Sequence, residues 1–153
     1  MIAVVAGVIE KRGCLLICQR RRGSLFALQW EFPGGKLHEG ESPEAGLARE
    51  LREELGVKAT IGREVYRTQH RYKEHSAPTS LIFFLVERLA GTPRNRVFER
   101  MIWVWPGDLP KYDFLAGDRE LVRLLATHKL PIHPARQILS EQKTKKDSSL
   151  RAG

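Results

Sequence analysis

Glu50, Glu53 and Glu54 set three carboxylates into the last turns of one predicted helix, immediately before Gly56. Negative charge at a helix C-terminus opposes the macrodipole, and like charges three or four residues apart repel by about 0.2–0.5 kcal/mol per pair. A helix that breaks its local rules in this way marks a functional site. At about 100° per residue, Leu47, Leu51 and Leu55 form an apolar stripe, and the three glutamates form a contiguous acidic sector beside it. Three convergent carboxylates on a rigid element make a hard oxygen site, and a bound cation relieves their repulsion. Mg²⁺ fits best, because carboxylates hold it together with phosphate oxygens and water. Arg49 is the base beside that sector, placed to orient Glu53 or Glu50. Taken alone, the sector also reads as a solvated, Glu-rich helix face.

Several elements must hold these residues in place. Ser42 followed by Pro43 predicts the helix start as a cap and a first-turn proline, and Gly56 predicts its end. Ala3–Ile9 and Cys14–Arg20 read as strands joined by a turn at Glu10–Gly13. Trp30–Gly35 is a short extended piece broken by Pro33 and two glycines. Val57–Tyr66, Ser80–Glu87 and Met101–Trp105 predict further strands. Asp118 is placed to cap a second amphipathic helix with Leu121, Leu124 and Leu125 as its stripe. Trp103 and Trp105 alternate on one strand face and are expected in the core. Strands and helices interleave without a regular βαβ alternation, which predicts a mixed sheet covered by helices.

The 153 residues suit one domain, and their 42% apolar content is that of an ordinary globular protein. We expect this domain over residues 1–133 and a basic, disordered tail over 134–153, where Arg136, Lys143, Lys145, Lys146 and Arg151 outnumber Glu141 and Asp147. No apolar run reaches the length of a bilayer span, and no secretory signal is expected at the N-terminus. Cys14 and Cys18 lie about 13 Å apart along one strand, too far for an unstrained disulfide, so a reducing cytoplasm is expected. The net charge of +8 suits a polyanion. The tail's five basic and two acidic residues hold +3 of that excess, and the body keeps enough charge to attract phosphates but no clear nucleic-acid footprint. His70, His75, His128 and His133 lack ligand spacing and receive no role.

Gly35, five residues, Glu41, seven residues, then Arg49-Glu50-Leu51-Arg52-Glu53-Glu54-Leu55-Gly56-Val57 match every fixed position of the Nudix box, and the chain resembles Nudix hydrolases on these residues. The resemblance implies an α+β fold, a mixed β-sheet in an α/β/α sandwich. It also implies Mg²⁺-dependent hydrolysis of a nucleoside diphosphate linked to another group, with Mn²⁺ able to substitute. Trp30–Lys36 is similar to the segment leading into the box in MutT-type nucleoside triphosphate pyrophosphohydrolases. Phe98–Trp105 and Leu115–Asp118 resemble later loops of that subgroup. The similarity covers about residues 3–127. His38 departs from it, standing where an acidic residue is common.

By this resemblance Glu50 and Glu54 are direct metal ligands, with the Gly34 carbonyl and Glu53 completing the set. Glu99 is a further ligand or the general base, Arg49 holds a motif glutamate, and Lys36 reaches a phosphate. Arg20 aligns with a base-contacting arginine, Phe32 lines the base pocket, and Asp118 faces the base. Each of the last three has a plainer reading: solvated strand end, core aromatic, helix cap. Asp118 can accept from the N1–H and amino group of guanine or from the amino group of cytosine. The MutT-like segment favours 8-oxo-dGTP, cleaved to the monophosphate and pyrophosphate in nucleotide-pool cleansing. Modified cytidine triphosphates, dinucleotides, RNA 5′ ends and a non-catalytic nucleotide-binding module are the competing readings.

Overall fold

The computed structural model describes residues 1–130 and Ile132, so the tail expected over 134–153 lies outside the described residues. The elements in chain order are β1 (Ile2–Val8), β2 (Glu10–Lys11), β3 (Cys14–Gln19), β4 (Trp30–Glu31), β5 (Gly34–Lys36), α1 (Pro43–Leu55), β6 (Lys58–His70), β7 (Thr79–Ala90), β8 (Arg100–Val104) and α2 (Arg119–Ala126), with 3₁₀ turns at Pro106–Lys111 and Ala116–Asp118.

The main sheet runs β5-β1-β7-β6. Its inner pair is parallel, Ile2 to Val8 lying beside Thr79 to Leu85, and both outer pairs are antiparallel. A buried parallel pair must be apolar on both faces, and both sequences meet that demand. Val5, Ile82, Phe84 and Val86 face one cluster with Leu47, Leu51 and Leu55 of α1. Ala6, Val8, Leu81, Phe83 and Leu85 face the other, with Leu121, Val122 and Leu125 of α2. Period-two alternation thus sends successive residues to opposite layers, and the predicted α/β/α sandwich of mixed sheet and helices is the observed one. Strand β3 anchors a second small sheet, pairing with β2, β4 and β8.

Helix α1 starts and stops where its sequence predicts. The Ser42 hydroxyl accepts from the Ala45 amide at 3.2 Å, and Gly56 takes a left-handed φ of 68° while its amide donates to the Arg52 carbonyl. The β2–β3 hairpin closes on Arg12 and Gly13 at φ 53° and 85°, so the turn predicted at Glu10–Gly13 is tighter than expected.

Three expectations need correction. β6 continues to His70 rather than ending at Tyr66, with register shifts between Thr60 and Tyr66 that let it bend along β7. Trp103 packs against the α1-side core, but Trp105 lies beyond the end of β8 and is 59% exposed. Its ring covers Gly13, leaving no room for a Cβ there. Asp118 precedes α2, yet its carboxyl makes no capping hydrogen bond. Its backbone is already helical, which turns the side chain away from the free amides of the first turn. Among the described residues no helix is long and apolar enough to cross a membrane.

Candidate active site

The C-terminal half of α1 packs beside the short edge strand β5, and the fit depends on glycine. A Cβ on Gly35 would fall 2.4 Å from the Glu50 carboxyl carbon, and one on Gly34 would fall 2.0 Å from the Val5 carbonyl oxygen. Without side chains, the Gly34-Gly35 backbone lies directly against two glutamates. The Gly34 amide donates to Glu54 Oε1 at 3.1 Å.

These residues open into a cavity of about 580 Å³. Glu50, Glu54, Gly34, Gly35 and Lys36 form its charged part, and Phe32, Leu81, Phe83 and Leu115 form an apolar part from which the Asp118 carboxyl also lines the cavity. A cleft of this size with a few polar groups on an apolar lining suits a nucleotide-sized ligand. Among the predicted residues, Arg20, Phe32, Gly34, Lys36, Glu50, Glu54 and Asp118 therefore share one cavity. Glu53 and Glu99 do not line it. Glu53 is 56% exposed and reaches back to Arg49 at 3.4 Å. Glu99 accepts from the Arg22 amide at 3.2 Å and pairs with its guanidinium at 3.7 Å.

Arg49 organises the acidic side. Its Nε and Nη2 donate to the two oxygens of Glu41 at 2.8 and 3.0 Å, Nη1 to Glu50 at 2.9 Å, and Nη2 also to the Lys36 carbonyl at 3.1 Å. This bidentate grip holds the Glu41 carboxyl down at about 2, helped by the His38 amide, and raises the Arg49 guanidinium further above its ordinary value. The His38 contact runs through the backbone, so the unusual side chain at that position leaves the loop's hydrogen bonding intact. Glu41 stays ionised at any working pH, its contribution being complete above about pH 4.5 and lost only as pH falls through about 2. Glu41→Gln leaves Arg49 one charged partner short, and turnover is expected to fall about 10–100-fold with little loss of fold, read by steady-state kinetics beside a thermal melt.

The buried carboxylates tell more. Glu54 is pushed up to about 9, by burial first and then by repulsion from Glu31 and Glu50, against the Gly34 hydrogen bond. Glu31 is pushed up to about 7 by burial, opposed by Arg20, whose Nη1 lies 3.2 Å from one of its oxygens. Asp118 is raised by burial and by Glu31, and the Phe32 amide hydrogen bond works the other way. Burial and mutual repulsion disfavour the ionised forms of these carboxyls, and a cation entering the cavity would relieve that repulsion. Their all-oxygen donor set fits a hard divalent ion. Among the described residues no three acidic, His or Cys side chains converge into a ready coordination set. Arg49 takes Glu50 and Glu53 as partners, whereas Glu54 turns to Gly34.

The sequence reading missed Glu31, Glu41, Phe26, Tyr72, His75 and Thr79 as contributors. Glu41 was legible as a fixed motif position. Glu31 lies on β4, paired with Cys18, inside the Trp30–Lys36 segment that resembles MutT-type enzymes. Thr79 opens β7, and Phe26, Tyr72 and His75 come from distant loops. Phe26, at φ 60°, brings its ring 4.9 Å from Tyr72 and 6.0 Å from His75, closing one wall of the cavity. The Tyr72 hydroxyl oxygen accepts from the Gly117 amide at 2.9 Å and so fixes the turn that carries Asp118. Arg20, aligned with a base-contacting arginine, is engaged by Glu31 and by the Leu25 carbonyl at 2.8 Å.

The NUDIX domain family matches residues 1–125. The chain is 38% identical over 130 residues to an 8-oxo-dGTP diphosphatase of Haemophilus influenzae, covering 82% of this chain and 91% of the relative. It is 36% identical over 122 residues to a CTP pyrophosphohydrolase of Escherichia coli, covering 80% and 89%. Among solved structures it resembles the E. coli ORF135 protein, with a TM-score of 0.75, 34% identity and coverage of 88% and 94%.

Proposed function

This chain belongs to the NUDIX family and is a hydrolase of phosphorus-containing anhydrides acting on nucleotides, and from that premise we propose that it is a Mg²⁺-dependent nucleoside triphosphate pyrophosphohydrolase that removes 8-oxo-dGTP from the nucleotide pool. Nudix hydrolases work with divalent metal ions, and Glu50 and Glu54, with Glu53 and the Gly34 carbonyl, are the groups assigned to hold Mg²⁺ here, Mn²⁺ substituting. When bound, the ion neutralises charge on the phosphate oxygens and favours formation of the attacking hydroxide.

The remaining work belongs to side chains. Arg49 keeps Glu50 in one rotamer through its ion pair, so the carboxylate meets the reaction without reorganising. Lys36 presents an ammonium to a phosphate as a point charge. Glu99, held by Arg22 on the loop before β8, is assigned as a further ligand or as the base that takes the proton from water. Water attacks the β-phosphorus, and the β–α bridging oxygen leaves with the nucleoside monophosphate, releasing pyrophosphate. Phe32 packs tilted against Phe114, at 5.4 Å, and edge-on to Phe83, at 6.1 Å, as the apolar wall for a base.

The observation that carries this reading is one cavity joining the Glu50–Glu54 carboxylates to the buried carboxyl of Asp118. That arrangement suits a triphosphate at one part and a base bearing N–H donors at the other. Free Cys14 and Cys18 accord with a cytoplasmic enzyme. A second reading, cytidine triphosphates, has support from the E. coli relative's name and from the cytosine amino group as a donor to Asp118. Pyrophosphate release from normal and oxidised triphosphates with Mg²⁺ decides between them. We expect kcat/KM for 8-oxo-dGTP to exceed that for dGTP, and Glu53→Gln to be nearly inactive. Equal values for the two guanine nucleotides would end the cleansing role, and an active Glu53→Gln would remove Glu53 from the groups assigned to the metal.

A further inference from the structure

Asp118 is one of two buried polar residues in the described fold, and the other is Thr79. Thr79 opens β7, beside Ile2 of β1 and His70 of β6, and is 4% exposed. Among the described residues, its Oγ1 is the buried side-chain polar atom left without a hydrogen-bond partner. An unmade bond of this kind is rare in folded proteins, because a buried donor without a partner forfeits its hydration for nothing. The position itself asks only for a β-branched side chain, and valine would fill the same space without the penalty. Thr79 also lines the cavity that holds Asp118 and Phe32. Its oxygen is closed to solvent, and one χ1 step exchanges hydroxyl and methyl, so a ligand filling the cavity can supply the missing partner.

The chemistry of the ligand says which partner. Asp118, whose carboxyl already accepts from the Phe32 amide, has acceptor oxygens for base N–H groups, and a hydroxyl donor suits the carbonyl oxygen beside them. Guanine, its 8-oxo form and cytosine each carry a carbonyl as well as an amino group, whereas adenine has no carbonyl. Arg20, one of the other donors on the cavity wall with Lys36, Tyr72 and His75, is engaged by Glu31 and the Leu25 carbonyl. We propose that the Thr79 hydroxyl is a specificity-determining contact to the nucleobase, donating to a base carbonyl oxygen while Asp118 accepts from base N–H groups. The assignment rests on the triphosphate-hydrolase reading above and narrows its substrates to carbonyl-bearing bases.

Pyrophosphate release by wild type, Thr79→Val and Thr79→Ser tests it with 8-oxo-dGTP, dCTP and dATP, which share sugar and phosphates, alongside thermal melts. In Thr79→Val the preference for the favoured carbonyl-bearing nucleotide over dATP should shrink by about tenfold or more, through KM rather than kcat. Its Tm should match or exceed that of wild type, since the orphaned hydroxyl is gone. Thr79→Ser, which keeps a hydroxyl, should restore most of the preference. An unchanged preference in Thr79→Val, or an equal loss on all three nucleotides, overturns the assignment and leaves the hydrolase reading standing. A wild-type protein that releases pyrophosphate from none of them overturns both.

Discussion

The Glu54→Gln protein is expected to keep its fold, to be more stable than wild type in metal-free buffer at neutral pH, and to lose about three orders of magnitude in turnover. The stability gain follows from the environment of the carboxyl. Glu54 is raised from 4.5 to about 9 because burial and the neighbouring Glu31 and Glu50 disfavour its ionised form. The folded chain therefore binds that proton more tightly than the unfolded chain does. The contribution is fully present below about pH 4.5 and is lost as pH rises towards 9, so metal-free stability declines across that window. Glu31, raised to about 7, adds to the same slope over the lower part of the window. A divalent cation stabilises the ionised forms and should flatten or reverse the decline. Glutamine keeps the acceptor for the Gly34 amide and removes the charge, which explains a gain in stability together with a loss of function. Thermal melts at several pH values, in chelator and in Mg²⁺, read the first effect, and single-turnover kinetics read the second. A melt in chelator that stays flat from pH 5 to 9, or a glutamine variant within tenfold of wild type, would remove Glu54 from the metal site.

Asp118 carries the second large effect. Asp118→Ala should erase most of the discrimination among bases, by about two orders of magnitude in the ratio of kcat/KM values, whereas Asp118→Asn should keep much of it. The carboxyl is 4% exposed, is free of capping duty, and accepts from the Phe32 amide while facing the cavity. Alanine removes the acceptor and leaves the Phe32 amide unpaired, at a cost of about 1–3 kcal/mol that the loss of a buried carboxyl partly offsets. Asparagine retains one acceptor oxygen. The same nucleotide panel with both variants measures the ratio. If Asp118→Ala discriminates as wild type does, the base is read elsewhere.

The two effects fall on residues of different legibility. Glu54 was visible in the sequence because a helix with repelling carboxylates at its C-terminus violates a local rule, and local rules can be checked residue by residue. Ser42, Pro43 and Gly56 fixed the same helix through capping and turn chemistry, and their geometry is as expected. Asp118 was visible only as an apt helix cap or, by likeness, a base contact. The cap is absent because the 3₁₀ turn Ala116–Asp118 holds its backbone in a helical conformation, and that turn is pinned by the hydrogen bond from the Gly117 amide to the Tyr72 hydroxyl, 45 residues away.

Sequence by itself determined the helix, its caps, the two-faced inner strands and the acidic sector, since each depends on neighbours within a few residues. Tertiary structure alone decided which glutamates enter the cavity, sending Glu50 and Glu54 in and leaving Glu53 and Glu99 on arginines. It also decided that Glu31, Phe26, Tyr72 and Thr79 join them, through the pairing of β3 with β4 and of β1 with β7. Strand register and loop approach are properties of partners far apart in the chain, and burial fixes the ionisation of a carboxyl only once those partners have closed around it.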